Sequence, residues 1–298
     1  MRSLILGATG LIGSALVDAC ERRGDAVLGT WYRRPHHDFA PLDICDEANV
    51  IALVEDFQPD AIYLAAGLNQ IDFAEAHPDE CRAVNEDGAA VVAEAAARCG
   101  ATLIAFSTAH VFGECRSARR EEAPVEPFNA HGRSAARAED TIRDLLPHRH
   151  LILRTNWVYG PEERGKNPAV TAIRRLADDD AIETTAERHC QPTYAPDLAE
   201  AAIELARRET NGTIHAVGPD RVTEYSFHQT VAFVNGFDCD RIVRRTIEEL
   251  EEDAPRPRSP WLDRLRLRAV LGSKAIRALG DGLRAMRDLE VPLAARAA

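Results

Sequence analysis

The chain has 298 residues, with 36 lysines and arginines against 48 aspartates and glutamates and a net charge of −12. That balance excludes a nucleic-acid binder, because phosphate contacts need a basic face. A hydrophobic content of 45% with 28% charged residues suits one large α/β domain, or one domain plus a smaller lobe.

Seven cysteines (Cys20, Cys45, Cys81, Cys99, Cys115, Cys190, Cys239) are scattered and never spaced as CxxC. Reduced thiols are therefore expected, with neither a disulfide framework nor a metal site. A strand follows Met1-Arg2 directly, and no apolar run approaches the ~20 residues of a membrane span. A cytoplasmic chain without a targeting segment or membrane anchor is expected. Only two of the basic residues are lysines, Lys166 and Lys274.

The first element is a short apolar strand over residues 3–6 that ends in glycine. Leu11, Ile12, Ala15, Leu16 and Ala19 follow at helical spacing, and Gly24 stands where that helix stops. Next come a strand over Ala26–Trp31, a helix over Glu47–Phe57, a strand over Ala61–Leu64, a helix near Glu80–Cys99 and a strand over Thr102–Ser107. A helix near Gly132–Leu146 leads to a strand over Leu151–Arg154. Strands alternating with helices of this length predict βαβ units, hence a Rossmann-type doubly wound parallel sheet.

Beyond residue 160 the rhythm loosens. Helices are expected over Asn167–Ala177 and Tyr194–Arg207, and a strand over Thr213–Val217. An acidic stretch, Glu248–Asp253, precedes Pro255, Pro257 and Pro260, and an arginine-rich segment runs over 262–287. The division expected is a nucleotide-binding domain over 1–160, completed by about 190–222, and a smaller substrate lobe within 161–298.

Gly7-Ala8-Thr9-Gly10-Leu11-Ile12-Gly13 reads GxxGxxG between the first strand and the first helix. Glycine serves three ends there: a tight turn, approach of backbone to a pyrophosphate, and close packing of helix on strand. The helix N-terminus then offers N–H groups and its positive dipole end to the phosphates. An acidic residue at the end of the second strand would take the ribose 2′-hydroxyl of NAD. Arg33 and Arg34 stand there instead, and guanidinium suits a 2′-phosphate. NADP(H) is the cofactor expected; the plainer alternative is a solvated arginine pair.

With Ala65-Ala66-Gly67, Asn85, Ser107-Thr108 and Arg154-Thr155-Asn156-Trp157-Val158-Tyr159-Gly160 added, the chain resembles the extended short-chain dehydrogenase/reductases over nearly its whole length. Within them it resembles the dTDP-4-dehydrorhamnose reductases and the methionine adenosyltransferase beta subunits. Asp56-Phe57-Gln58-Pro59-Asp60, the run 107–113 and Pro192-Thr193-Tyr194 match the same pattern. The resemblance implies cofactor contacts at Gly7, Thr9, Gly10, Leu11, Ile12, Gly13, Arg33, Arg34, Asp43, Ile44, Ala65, Ala66, Gly67 and Asn85. Asp43 matches the position that meets the adenine. For the substrate it implies Asn156, Tyr194 and Arg256, with Cys190 and Gln191 bordering the pocket.

The family moves hydride to a sugar ketone with a Ser/Thr–Tyr–Lys trio. Thr108 matches the Ser/Thr, but the YxxxK element is His131-Gly132-Arg133-Ser134-Ala135, and Ala109-His110 replaces the usual Asp-Tyr. No tyrosine of the chain has a lysine four positions on. Thr108, His110 and His131 are the catalytic candidates. An imidazole with its ordinary pKa near ~6.5 donates a proton at neutral pH, so His131 is a candidate acid that needs no lysine. The alternative is a histidine left in a retired site.

Arg256, Arg258, Arg264, Arg266 and Arg268 are set either to meet an anionic substrate or to form a solvated helix face. Three readings stay open: a reductase acting on a nucleotide-sugar-like ketone with atypical catalytic residues, a non-catalytic nucleotide-binding subunit, and non-redox epimerase- or lyase-type chemistry in the same cleft. A homodimer or a partner subunit is compatible with each.

Overall fold

The computed structural model describes residues 1–115, 117–162 and 165–294. The chain opens with β1 (Arg2–Leu6), whose Ser3–Leu6 are all buried, as befits a parallel strand covered on both faces. Then come α1 (Leu11–Arg22), β2 (Ala26–Trp31), β3 (Ala40–Pro41), α2 (Glu47–Phe57), β4 (Ala61–Leu64), α3 (Ile71–Ala76) and α4 (Pro78–Arg82). A π-helical turn over Ala83–Asp87 leads into α5 (Gly88–Cys99), followed by β5 (Thr102–Thr108), α6 (Ala130–Leu145) and β6 (His150–Thr155).

The remaining elements are β7 (Val158–Tyr159), α7 (Pro168–Ala177), β8 (Ile182–Thr185), β9 (His189–Cys190), β10 (Thr193–Tyr194), α8 (Ala195–Arg207), β11 (Gly212–His215), β12 (Val222–Thr223), α9 (Glu224–Asn235), β13 (Ile242–Arg245), α10 (Leu265–Leu271) and α11 (Leu279–Ala294). No described helix is long and apolar enough to cross a membrane.

Seven parallel strands form one sheet in the order β11-β6-β5-β4-β1-β2-β3. The winding reverses between β1 and β4, and in such sheets the crevice beyond the strands' C-terminal ends is where ligands sit. One face is covered by α2, α5 and α6. The other is covered by α1, α8 and Leu267 of α10. The sheet thus takes its last strand and two covering helices from beyond residue 190. The short strand pairs β7–β10, β9–β12 and β8–β13, with α7, α9 and α11, build a second body around Tyr159, Phe227 and Met286.

The single helix expected near Glu80–Cys99 is broken by its π-helical turn, and such turns recur at functional sites. Helix α9 lacked a legible apolar stripe because Phe233 points outward, 77% exposed, while Phe227, Val231, Ala232 and Val234 are buried.

Helix α6 is fixed to the sheet by a buried ion pair. Arg154 of β6 donates to Glu139 at 2.9 and 2.6 Å, both side chains 2% exposed, and Ser107 of β5 donates to the same carboxylate at 2.5 Å. Burial opposes ionisation of Glu139, yet these bonds together hold its carboxyl below the usual range. Glu139→Ala leaves a buried guanidinium unpaired, so stability should fall by about 3–5 kcal/mol. Urea unfolding measures it, and a loss below about 1 kcal/mol would show that α6 is held by packing alone.

Candidate functional site

The three glycines of the first turn carry separate duties. Gly7 has φ 84°, and a Cβ there would lie 2.8 Å from the Ala66 nitrogen, so the turn is pressed against the end of β4. A Cβ on Gly13 would lie 2.1 Å from the Gly7 carbonyl oxygen, so Gly13 lets the helix pack on the turn. A Cβ on Gly10 meets only that oxygen, at 3.3 Å, and otherwise points to open space. Gly10 is the N-cap of α1 and offers no side-chain bond, so the N–H groups of Leu11, Ile12 and Gly13 begin the helix without a capping partner. With Thr9 partly exposed beside them, they form an anion cradle at a helix N-terminus, which is what a pyrophosphate needs.

Arg33 and Arg34 are exposed just past β2. Arg33 lies 5.9 Å from the Tyr32 ring centre, and among the described residues neither guanidinium has a carboxylate partner. Asp43 is partly exposed, one carboxylate oxygen accepting from the Cys45 N–H at 3.0 Å. Ala65 and Ala66 close the cradle, the Ala65 N–H bonding to Leu6 at 3.0 Å.

Two expected cofactor contacts take different roles. The Ile44 side chain is buried among Leu42, Val50 and Val92, so only its main chain is left for a nucleotide. Asn85, from the π-helical turn, accepts from the Leu68 N–H at 2.8 Å and donates to the Leu68 carbonyl at 2.9 Å. Its amide is committed to holding the loop that begins at Gly67, where a Cβ would lie 3.2 Å from Asn85 Oδ1.

At the other end of the crevice, Thr108 closes β5 and its hydroxyl accepts from the His110 N–H at 3.2 Å. Gly132 allows the first turn of α6 to touch the His110 main chain: a Cβ there would lie 2.2 Å from the His110 oxygen. This approach sets the His110 and His131 rings 5.8 Å apart between centroids, at 65°. Asn129 caps α6 by accepting from the Gly132 N–H at 2.8 Å, and its amide also reaches His110 Nδ1 at 3.0 Å and the Pro255 carbonyl at 2.9 Å. Ala135 stands on the next turn, partly buried against the apolar cluster of Ala109, Val111, Phe112 and Val217.

Burial pushes His131 below its ordinary pKa. Burial, with the neighbouring His131, Arg256 and Arg188, pushes His110 down to about 3. Both shifts favour the neutral imidazole, so the enclosing protein works against the imidazolium proton expected of His131.

Thr155 pairs with Thr108 across β5 and β6. Its hydroxyl and both amide atoms of the adjoining Asn156 are buried without a hydrogen-bond partner among the described residues. Unpaired buried amide atoms are costly, and a bound polar ligand is one way to satisfy them. Trp157 follows in the left-handed region at φ 41°, a strain held by its ring's contacts with Phe227 and His228.

Several residues expected at the substrate are engaged by the protein itself. Tyr194 is 2% exposed, packed against Tyr159 and under Arg277, leaving no surface for a ligand. Cys190 is buried in the lobe's core. Gln191 exchanges two bonds with Leu262, at 3.1 and 2.7 Å, and so ties down the proline-rich segment. Arg256 bonds to Asp72 at 2.6 Å, with Glu252 at 3.7 Å, so its charge is already answered. Arg266 donates to the carbonyls of Thr213 and Asn211.

Asn129 was missed in the sequence, although an asparagine three residues before Gly132 at a helix start is a capping signal. Two surface hollows, about 380 Å³ around Arg143, Arg154 and Arg266 and about 700 Å³ along Tyr32, Asp43 and α2, include neither the glycine turn nor the histidines.

Residues 1–287 match the family model described as the RmlD substrate binding domain. A dTDP-4-dehydrorhamnose reductase of Streptomyces griseus is 33% identical over 275 residues, covering 90% of this chain and 88% of the relative. Methionine adenosyltransferase 2 subunit beta of Xenopus laevis is 30% identical, covering 88% and 80%. Among solved structures, the dTDP-4-dehydrorhamnose reductase of Bacillus anthracis in complex with NADP superposes with a TM-score of 0.87 at 26% identity, covering 96% of this chain and 98% of that one.

Proposed function

The chain belongs to the RmlD substrate binding domain family, and from that premise we propose that it binds NADP(H) and acts, as a reductase-type protein, on the ketone of a nucleotide-linked sugar through an altered catalytic centre. The observation that carries this reading is the cradle of uncapped N–H groups at α1, with Arg33 and Arg34 exposed beyond β2 and, among the described residues, without a carboxylate partner. The Bacillus anthracis relative, which holds NADP, supports the choice of nucleotide.

The N–H groups of Leu11, Ile12 and Gly13 hold the pyrophosphate, the arginine pair takes the 2′-phosphate, and Asp43 lies toward the adenosine. Bound NADPH would supply the hydride. Thr108 and the histidines orient the sugar carbonyl, and Asn156 satisfies its buried amide on the ligand. The lobe of β7–β10, α7, α9 and α11 forms the sugar side of the crevice.

Calorimetric titration should give tighter binding of NADPH than of NADH. Arg33→Ala should lose about 1.5–3 kcal/mol, tenfold or more, for NADPH and little for NADH. Equal affinities in the unaltered protein would overturn the assignment. NADPH oxidation with dTDP-4-dehydrorhamnose then tests the reductase step.

A second reading has its own observation. The lysine position is Ala135 and burial disfavours the charged form of both imidazoles, which argues against the family's proton relay. A non-catalytic nucleotide-binding subunit, a reading favoured by the likeness to a protein named as a subunit, methionine adenosyltransferase 2 subunit beta, would bind NADPH normally and show no oxidation.

A further inference from the structure

We propose that Asn129 is a positioning residue that holds the proton of His110 on Nε2 and occupies its Nδ1 lone pair, so that His110 meets a ligand as a hydrogen-bond donor and is barred from acting as a base. The proton position follows from hydrogen-bond geometry; its consequence for reduction rests on the reductase-type reading above.

Three parts of the chain meet at the Asn129 side chain. Asn129 is the N-cap of α6 and 1% exposed, so water does not compete for its amide. His110 follows β5, and its main chain is held from two sides. Its N–H donates to the Thr108 hydroxyl, and its carbonyl lies where a Cβ on Gly132 would come to 2.2 Å. The Pro255 carbonyl arrives from the segment after Asp253, and both of its neighbours are tied to Asp72 of α3. The Ala254 N–H donates to Asp72 at 3.1 Å and the Arg256 guanidinium at 2.6 Å.

The amide can face these neighbours in one way only. The Gly132 N–H donates, so the Asn129 atom it meets at 2.8 Å is the oxygen. The Pro255 carbonyl accepts, so the atom it meets at 2.9 Å is the nitrogen. Exchanging the two would set donor against donor and oxygen against oxygen. The nitrogen is also 3.0 Å from His110 Nδ1. One of its hydrogens goes to Pro255 and the other to Nδ1, so Nδ1 accepts and carries no proton. That excludes the imidazolium, and the neutral ring keeps its single proton on Nε2. Burial favours the same neutral form. Among the described residues Nε2 has no hydrogen-bond partner, yet it is not one of the enclosed polar atoms, and His110 is partly exposed. This N–H is therefore free to meet a ligand.

The titratable or charged groups that act on His110 are His131 of α6, Arg256, and Arg188 just before β9. Arg256 pairs with Asp72, and Arg188 with Glu252 and Glu224. These carboxylates are thus committed to the arginines, and the ring's bonded neighbour is the Asn129 amide.

A neutral imidazole N–H donates without first being ionised. It suits an oxygen on which charge grows, as a ketone oxygen does when hydride reaches its carbon. The same tautomer has no lone pair left to take a proton, so His110 is not the base that epimerase- or lyase-type chemistry needs.

Histidine ¹⁵N spectra of the full chain at neutral pH test the assignment, the His110 signals being those lost in His110→Gln. They should show Nε2 protonated and Nδ1 bare. Asn129→Asp keeps an acceptor for Gly132 but puts an oxygen against Nδ1. The proton should move to Nδ1, and the new carboxylate should raise the His110 titration from about 3 by about 1–3 pH units. In this variant Nε2 is protonated only below the raised midpoint. The ratio of its kcat for NADPH-dependent reduction of dTDP-4-dehydrorhamnose to that of wild type should therefore fall by about 10²–10³ as pH rises through that midpoint, the worth of one preorganised donor. A residue that merely caps α6 would lower kcat without that pH dependence.

A wild-type His110 that is protonated on Nδ1, or that titrates between pH 5 and 8, overturns the proposal. So does a folded Asn129→Asp variant that keeps the proton on Nε2, and a kcat ratio flat with pH while the proton sits on Nδ1 overturns the donor role. No reduction by either protein, with NADPH bound by both, overturns the reductase-type reading instead, and the ¹⁵N spectra then decide the assignment by themselves.

Discussion

Gly10→Val is expected to abolish NADP(H) binding in a chain that stays folded, whereas Gly13→Ala is expected to damage the fold itself. The two differ in where the added carbon goes. At Gly10 the Cβ has one neighbour, the Gly7 oxygen at 3.3 Å, and the branched side chain extends into the space where the phosphates approach. A nucleotide pushed out by that side chain loses at least two charge-assisted bonds to the first turn of α1. At about 1.5–3 kcal/mol each, the affinity should fall by roughly 10²–10⁴.

At Gly13 the Cβ would lie 2.1 Å from the Gly7 oxygen, 2.8 Å from its carbon and 2.9 Å from Ala8 Cα. All three are main-chain or Cα atoms, so no flexible side chain can yield, and overpacking of this kind costs about 1–3 kcal/mol or more. Calorimetry with NADPH, alongside thermal unfolding, separates the cases. Normal affinity in folded Gly10→Val would remove the turn from the phosphate site. An unchanged melting temperature in Gly13→Ala would mean that the helix can slide away from the turn.

The Rossmann half was legible because its signals are local. Val27–Thr30, Ile62–Leu64 and Leu103–Ala105 are apolar or β-branched runs beside glycine and proline, and the strands Ala26–Trp31 and Ala61–Leu64 end where the sequence reading ends them. The glycine turn was legible for the same reason, as spacing alone separates the roles of Gly7, Gly10 and Gly13.

The lobe was harder to read, since its strands are two to four residues long and pair across distant positions such as Ile182 and Ile242. The site residues whose surroundings the sequence did not reveal have a common cause as well. Tyr194, Arg256 and Asn85 were assigned by position in a pattern, while their neighbours were set by tertiary contacts: Arg277, Asp72 and the Leu68 main chain. The pKa of His131 belongs to the same class, because the burial that lowers it has no local signature in the sequence.

Replacing His131 with tyrosine and Ala135 with lysine together should raise ketone reduction at neutral pH by about 10²–10⁴-fold, the usual worth of a positioned proton donor. In the unaltered protein the candidate donor is an imidazole whose pKa is lowered below its ordinary value. Its protonated fraction at pH 7 is therefore small, and it grows only as pH falls through and below ~6.5. Any reduction that takes its proton from His131 should accelerate toward acid pH.

A tyrosine on the first turn of α6, with an ammonium one turn further along the helix, reverses that dependence. The phenol keeps its proton throughout the neutral range, while the cation favours the phenolate left after transfer. Position 135 is partly buried against the apolar cluster that includes Ala109, Val111, Phe112 and Val217, with part of its surface open, so the lysine stem has an apolar wall to lie on. Ser134 between them keeps its bonds to Cys81 and Asn85.

The measurement is NADPH oxidation with dTDP-4-dehydrorhamnose from pH 5 to 9, with circular dichroism to show that the double variant folds. A wild-type rate that is already high and flat with pH would remove His131 as the source of the proton and leave Thr108, His110 or water to supply it. No activity in either protein, with NADPH bound by both, would place the barrier in sugar binding and move attention from the histidines to Asn156 and the lobe that faces it.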